Sequence, residues 1–249
     1  MFGSPMQSGV GNALWSRASA LAVTLLFLAS AASAQELDPC VDVTLVLAVD
    51  GSVGVDNREY LFRQQAIASS FRDPGVIAAL KGAGRVSVAV VFWGDASNPV
   101  YQTEAVTIED TSDADAFSRM VENIPRRTLG NTGLGAGLSA ALDRLGSMGC
   151  AHRSIINVSG DGKETNVPRQ RLQTARAGQA RDRARSMNVT INALVISSAE
   201  VGLVDYYRRK VITGPGAFIM EIADYEDYAE ALKKKLIREI TPDIVSHTD

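Results

Sequence analysis

Five stretches of the chain are almost unbroken runs of apolar residues: 43–49, 86–93, 155–158, 189–196 and a weaker one at 217–220. Continuous runs, rather than strict alternation, predict strands covered on both faces, as in parallel sheets. Residues 100–108 alternate more and predict an antiparallel strand at a sheet edge. Helical periodicity falls between these runs. It places Leu61, Gln65/Ala66 and Ala68/Ser69 on one stripe of 57–71, and marks 134–145 as an Ala/Leu-rich helix. Pro168 opens a longer pattern to about 187, with Leu172, Ala175, Ala180, Ala184 and Met187 on a narrow face and Asn188 closing it. The pattern at 224–240 sets Tyr225/Tyr228, Ala229/Leu232 and Leu236 on its apolar side. Strands alternating with helices predict an α/β fold: a doubly wound, mostly parallel central sheet with helices on both faces and one antiparallel edge strand. Nothing between 40 and 240 reads as a linker or repeat, so 35–249 is expected to form a single domain.

The first 34 residues carry one charged side chain, Arg17. A short apolar core follows, ending in Ala32-Ser33-Ala34, which together read as a secretory signal peptide over 1–34. The core is too short for a bilayer span and no Cys follows it to carry a lipid. The rest of the chain has no apolar run long enough to span a membrane, so the mature protein is expected to be exported, periplasmic or secreted, without a stable membrane anchor.

Composition narrows the function classes. The 249 residues are 46% hydrophobic and 21% charged, with a net charge of −3, which offers no bulk positive field for nucleic acid. There are two histidines, one of them His247 beside the chain end, which disfavours histidine triads and multi-histidine zinc sites. Six arginines (Arg169, Arg171, Arg176, Arg181, Arg183 and Arg185) crowd one helical segment. They read as a solvated outer face opposite the alanine stripe, with an anionic docking surface as the alternative.

Ligand sites in doubly wound sheets lie at the carboxyl ends of the strands. The first strand is followed by Asp50-Gly51-Ser52-Val53-Gly54, the 155–158 strand by Ser159-Gly160-Asp161-Gly162, and the 134–145 helix is preceded by Gly130-Asn131-Thr132-Gly133. Two carboxylates and two hydroxyls are thereby expected on one rim. Oxygen donors of this kind suit a hard divalent cation, Mg²⁺ first, with Mn²⁺ or Ca²⁺ as alternatives.

With these residues in place, the sequence resembles a von Willebrand factor A domain, whose metal-ion-dependent adhesion site reads D-x-S-x-S, then a Thr, then an Asp followed by Gly. Asp50, Ser52, Thr132 and Asp161 match in order over a resemblance spanning about 40–240; Gly54 stands where the family has its second serine. Val158-Ser159-Gly160-Asp161-Gly162, Asp205-Tyr206-Tyr207 and Gly214-Pro215-Gly216-Ala217-Phe218 further resemble an uncharacterised secreted single-domain bacterial branch of that superfamily. The resemblance implies that the serine and threonine hydroxyls touch the metal and that the carboxylates act through water. It also implies that the first strand and the 155–158 strand are parallel neighbours. Cys40 and Cys150 would then meet at the opposite rim, and an oxidising compartment permits a disulfide between them.

Other signals lead nowhere. Gly135-Ala136-Gly137-Leu138-Ser139-Ala140 fits a dinucleotide fingerprint but does not follow the first strand, so its glycines are read as close-packing positions. No phosphate loop or nucleophile elbow is present, and the sequons at Asn157 and Asn188 fall in or beside buried strands. No set of residues provides a nucleophile with its base. The reading is therefore an exported, non-enzymatic binding module that recognises a protein or other macromolecule offering a carboxylate, through a divalent cation. The alternatives are a metal-independent subunit of an envelope assembly and, third, a metal-dependent hydrolase.

Overall fold

The computed structural model describes residues 40–52, 54–95, 100–127, 130–165 and 176–241. The expected signal peptide lies outside them. Strands β1 (Val41–Asp50), β2 (Val86–Trp93), β3 (Tyr101–Gln102), β4 (Val106–Ile108), β5 (Ala151–Gly160), β6 (Thr190–Ile196) and β7 (Ile219–Ile222) form one seven-stranded sheet. Its order is β3-β2-β1-β5-β6-β7, with β4 also on β2. The pairings β1–β2, β1–β5, β5–β6 and β6–β7 are parallel; β3 and β4 run antiparallel to β2. The antiparallel edge is thus split into two short pieces. Thr103 divides them by inserting its side chain into the ladder, where its hydroxyl accepts the Val90 N–H at 3.0 Å.

Both faces of the sheet are covered. Alternate β1 residues Val43, Leu45, Leu47 and Val49 face helices α1 (Asn57–Ser70), α2 (Pro74–Ala83), α3 (Thr111–Glu122) and α7 (Tyr228–Ile240). Val46 and Ala48 face the other layer, formed by α4 (Leu134–Ser147), α5 (Ala177–Ser186) and α6 (Leu203–Lys210). A 3-10 turn, Tyr225–Asp227, leads into α7.

The hydrophobic pattern does not predict α2, α3 or α6, which are short. The signals of α2 and α3 are local: Asp73 and Asp110 each accept two N–H groups of the following turn, and Pro74 opens α2. The arginine-rich segment also differs from expectation. Helix α5 begins at Ala177 rather than continuing through Arg176, and Pro168, Arg169, Arg171, Leu172 and Ala175 lie outside the described residues. Ala180 and Ala184 are buried as expected, and Asn188 takes the left-handed conformation just past the helix (φ 55°).

Only part of the stripe assigned to α1 is buried: Ala66 and Ala68 are in the core as expected, whereas Leu61, Gln65 and Ser69 are exposed. Leu61 is 52% exposed, and the buried face runs through Tyr60, Arg63/Gln64, Ile67 and Phe71. Polar residues sit there because they have partners: Gln64 donates to the carbonyls of Val121 (2.6 Å) and Ile124 (2.8 Å).

Cys40 and Cys150 form a disulfide, with Cα atoms 4.8 Å apart. The β1–β5 register explains it. Val41 pairs with Ala151, so the residues just before each strand face one another.

Candidate functional site

The same register that joins the cysteines below brings two loops together above. Val49 lies opposite Ser159, so β1 and β5 end side by side and release Asp50 and Asp161 onto one rim. Asp50 is fully buried. Its Oδ1 accepts the Ser52 N–H at 2.8 Å, which curls the loop back over the strand end. Arg126, in the segment after α3, braces that loop, donating to the carbonyls of Ser52 and Val55 and to Asn57 Oδ1, with its guanidinium over the Tyr60 ring.

Thr132 precedes α4, whose N-cap, Gly133, has no side chain to satisfy the first N–H groups. Glu164 does so from the loop after β5: its Oε1 accepts the Gly135 N–H (3.0 Å) and its Oε2 the Ala177 N–H (3.2 Å), capping α4 and α5 together. The Thr165 N–H donates to the Thr132 carbonyl at 2.9 Å, tying the two loops. A Cβ on Gly162 would stand 3.4 Å from Thr132 Oγ1, so the threonine hydroxyl lies beside the residue following Asp161. Gly160 is demanded by Tyr207, whose Oη would be 2.4 Å from a Cβ there. The structure therefore places Asp50, Ser52, Thr132 and Asp161 on one rim of the sheet. At the motif's departure, a Cβ on Gly54 would stand 3.9 Å from Ser52 Oγ.

Two ligand-type atoms at this rim are buried without any hydrogen-bond partner: Asp50 Oδ2 and Ser52 Oγ. A native interior rarely leaves such atoms bare. Burial first, and then the Asp161 charge, push Asp50 up to about 6, against the opposing pull of Arg63. Among the described residues no group of three or more His, Cys, Asp and Glu side chains is arranged to hold a metal. The set available here is two carboxylates and two hydroxyls, hard oxygen donors that fit a small divalent cation.

One residue of the site is absent from the sequence reading. Arg63 is fully buried and donates Nη2 to Asp161 Oδ2 (2.7 Å) and Nη1 to the Asp50 carbonyl (2.9 Å). The rings of Tyr225 and Tyr228 cover it at 5.3 and 6.0 Å. Its signal was available: counting from Tyr60 at helical spacing, an arginine occupies a position where the core wants an apolar side chain. Beside the rim, a cleft of about 450 Å³ opens between Asp56, Glu59, Phe62, Tyr225 and Glu226.

Of the glycines in the dinucleotide-like segment, Gly137 has a packing role. A Cβ on Gly137 would lie 2.3 Å from the buried Trp93 ring, so α4 can approach β2 only with glycine there.

A family described as "Protein of unknown function (DUF1194)" matches residues 40–244. The chain belongs to this family. A comparison with curated proteins returns no match for this DUF1194 member. Solved structures share its fold. The pilus adhesin SpaC from Lactobacillus rhamnosus GG, in its open conformation, is 14% identical with a TM-score of 0.55, over 81% of this chain and 31% of that one. The von Willebrand factor type A protein from Catenulispora acidiphila is 17% identical with a TM-score of 0.55, over 81% and 43%. Proximal thread matrix protein 1 from the mussel byssus, with a zinc-occupied MIDAS motif, is 11% identical with a TM-score of 0.55, over 81% and 46%. The DUF1194 chain spans about a third to a half of the length of these proteins, and its fold is that of a von Willebrand factor A domain.

Proposed function

We propose that this protein is an exported binding module that engages a carboxylate-bearing protein or other macromolecule through a divalent cation held by Asp50, Ser52, Thr132 and Asp161. The observation that carries this reading is the pair of orphaned atoms, Asp50 Oδ2 and Ser52 Oγ, buried at the carboxyl end of β1. A cation would satisfy both and, when bound, would offer a coordination position to an outside carboxylate. Mg²⁺ suits the set best because it keeps several waters, one of which can stand in for the hydroxyl missing at Gly54. The zinc-occupied motif in the mussel protein supports a divalent ion at this place in the fold.

Binding rather than turnover fits the chemistry. Ser52 Oγ makes no hydrogen bond with a histidine or lysine that could serve as its base. The Cys40–Cys150 bond suits an oxidising compartment, and among the described residues no helix is long and apolar enough to cross a membrane.

Calorimetric titration with Mg²⁺ and Mn²⁺ tests the reading, with Ser52→Ala as control. The change removes one candidate ligand oxygen and adds no atom, and an unchanged unfolding transition checks that the fold is kept. Saturable one-to-one binding in the parent, lost or weakened at least tenfold in Ser52→Ala, is expected. Identical titrations of the two proteins would overturn it.

A further inference from the structure

Arg63 occupies a place that a purely adhesive rim does not need filled. We propose that it is a tethered counter-cation, which balances the acidic rim when no metal is bound and sets how tightly the rim takes up a divalent ion. This rests on the metal-binding reading above and adds the residue that tunes it.

The argument begins with burial. A guanidinium fully removed from solvent must be paired, and the carboxylate it pairs with, at 2.7 Å, is Asp161, one of the four metal-site residues. Its second contact, to the Asp50 carbonyl at 2.9 Å, fixes the guanidinium between the ends of β1 and β5. Tyr225 from the 3-10 turn and Tyr228 from the start of α7 cover it, so it cannot swing out to solvent without disturbing that packing. Arg63 is therefore a fixed charge of the site.

What Arg63 leaves alone is equally telling. It neutralises one of the two rim carboxylates, yet Asp50 Oδ2 and Ser52 Oγ remain without partners. Charge is balanced while ligand atoms stay open. An incoming divalent ion meets a net charge of about −1 on the rim instead of −2, and it competes with the guanidinium for Asp161. Both effects weaken binding, since attraction between charges a few ångströms apart in a partly desolvated site is strong. With one hydroxyl already missing at Gly54, the rim is built for weak, reversible occupancy.

Mn²⁺ titration of the disulfide-bonded protein, read by the electron paramagnetic resonance of free Mn²⁺, distinguishes this from a role in holding Asp161 for the metal. Arg63→Gln is expected to bind at least tenfold more tightly than the parent, and Arg63→Lys, which keeps the charge, to stay within about threefold of it. Arg63→Gln binding equally or more weakly, with an unchanged unfolding transition, would overturn the proposal and leave the metal site standing. Absence of binding in parent and Arg63→Gln alike would remove the metal site itself, and this proposal with it. Should Arg63→Gln not fold, the parent decides: saturating Mg²⁺ is expected to shift the Arg63 Nε–H resonance, and an unmoved resonance at saturation overturns the idea.

Discussion

At the scale of single residues, the rim trades stability for open ligand atoms. Asp50 titrates near 6 in the folded protein, above its ordinary 3.8, because burial and the neighbouring Asp161 charge disfavour its ionised form. Stability tied to the protonated carboxyl is thus fully present below about pH 4 and is lost as pH rises through about 6. Without divalent ions, Asp50→Asn should melt higher than the parent at pH 7.5, by on the order of 1–3 kcal/mol, and level with it at pH 4. Differential scanning calorimetry at the two pH values checks this, and adding Mg²⁺ at pH 7.5 should stabilise the parent only. Gly54→Ser returns a hydroxyl beside Ser52 Oγ. About tenfold tighter Mg²⁺ binding, worth about 1.4 kcal/mol, is the calorimetric expectation; unchanged affinity would show that water serves as well.

At the scale of elements, loops are held by caps that the hydrophobic pattern does not reveal. Glu164 satisfies N–H groups at the starts of both α4 and α5, and by doing so sets the loop that carries Asp161 against the one that carries Thr132. Glu164→Ala should lower stability by about 1–2 kcal/mol in urea denaturation and weaken Mg²⁺ binding as well. An equal stability loss with unaltered binding would separate the cap from the site. Gly137 works by closeness. Its replacement by Ala drives a methyl into Trp93, and a loss of about 1–3 kcal/mol is expected from the same denaturation. The sequence carried Gly137 in plain view but not its neighbour, because Trp93 lies 44 positions earlier, on the strand α4 packs against.

At the scale of the whole molecule, one register joins two ends. The β1–β5 pairing sets Cys40 against Cys150 at one end and Asp50 beside Asp161's strand at the other. The disulfide closes a sequence separation of 110 residues, for which chain entropy predicts about 4–5 kcal/mol of stabilisation. Urea unfolding with and without a thiol reductant measures it; a smaller difference would mean that the reduced unfolded chain keeps structure. Reduction should leave Mg²⁺ affinity of the folded protein intact, because the bond lies at the opposite end of the strands from the rim.

The α/β layering, the strand runs, and the candidates Asp50, Ser52, Thr132 and Asp161 were legible in the sequence, since buried parallel strands need continuous apolar residues and sites on such sheets follow strand ends. The family resemblance added the cysteine pairing. Missed were the polar part of α1's buried face, the short capped helices, Glu164's double cap and the partner that gives Arg63 its place. The capped helices were missed because their signals are local caps rather than apolar periodicity; the other three share one reason. Periodicity reports which positions are apolar, whereas a buried polar side chain is stable only through its partners. Those partners, Asp161 for Arg63, Val121 and Ile124 for Gln64, and Gly135 for Glu164, stand tens of residues away and meet only when the sheet has formed.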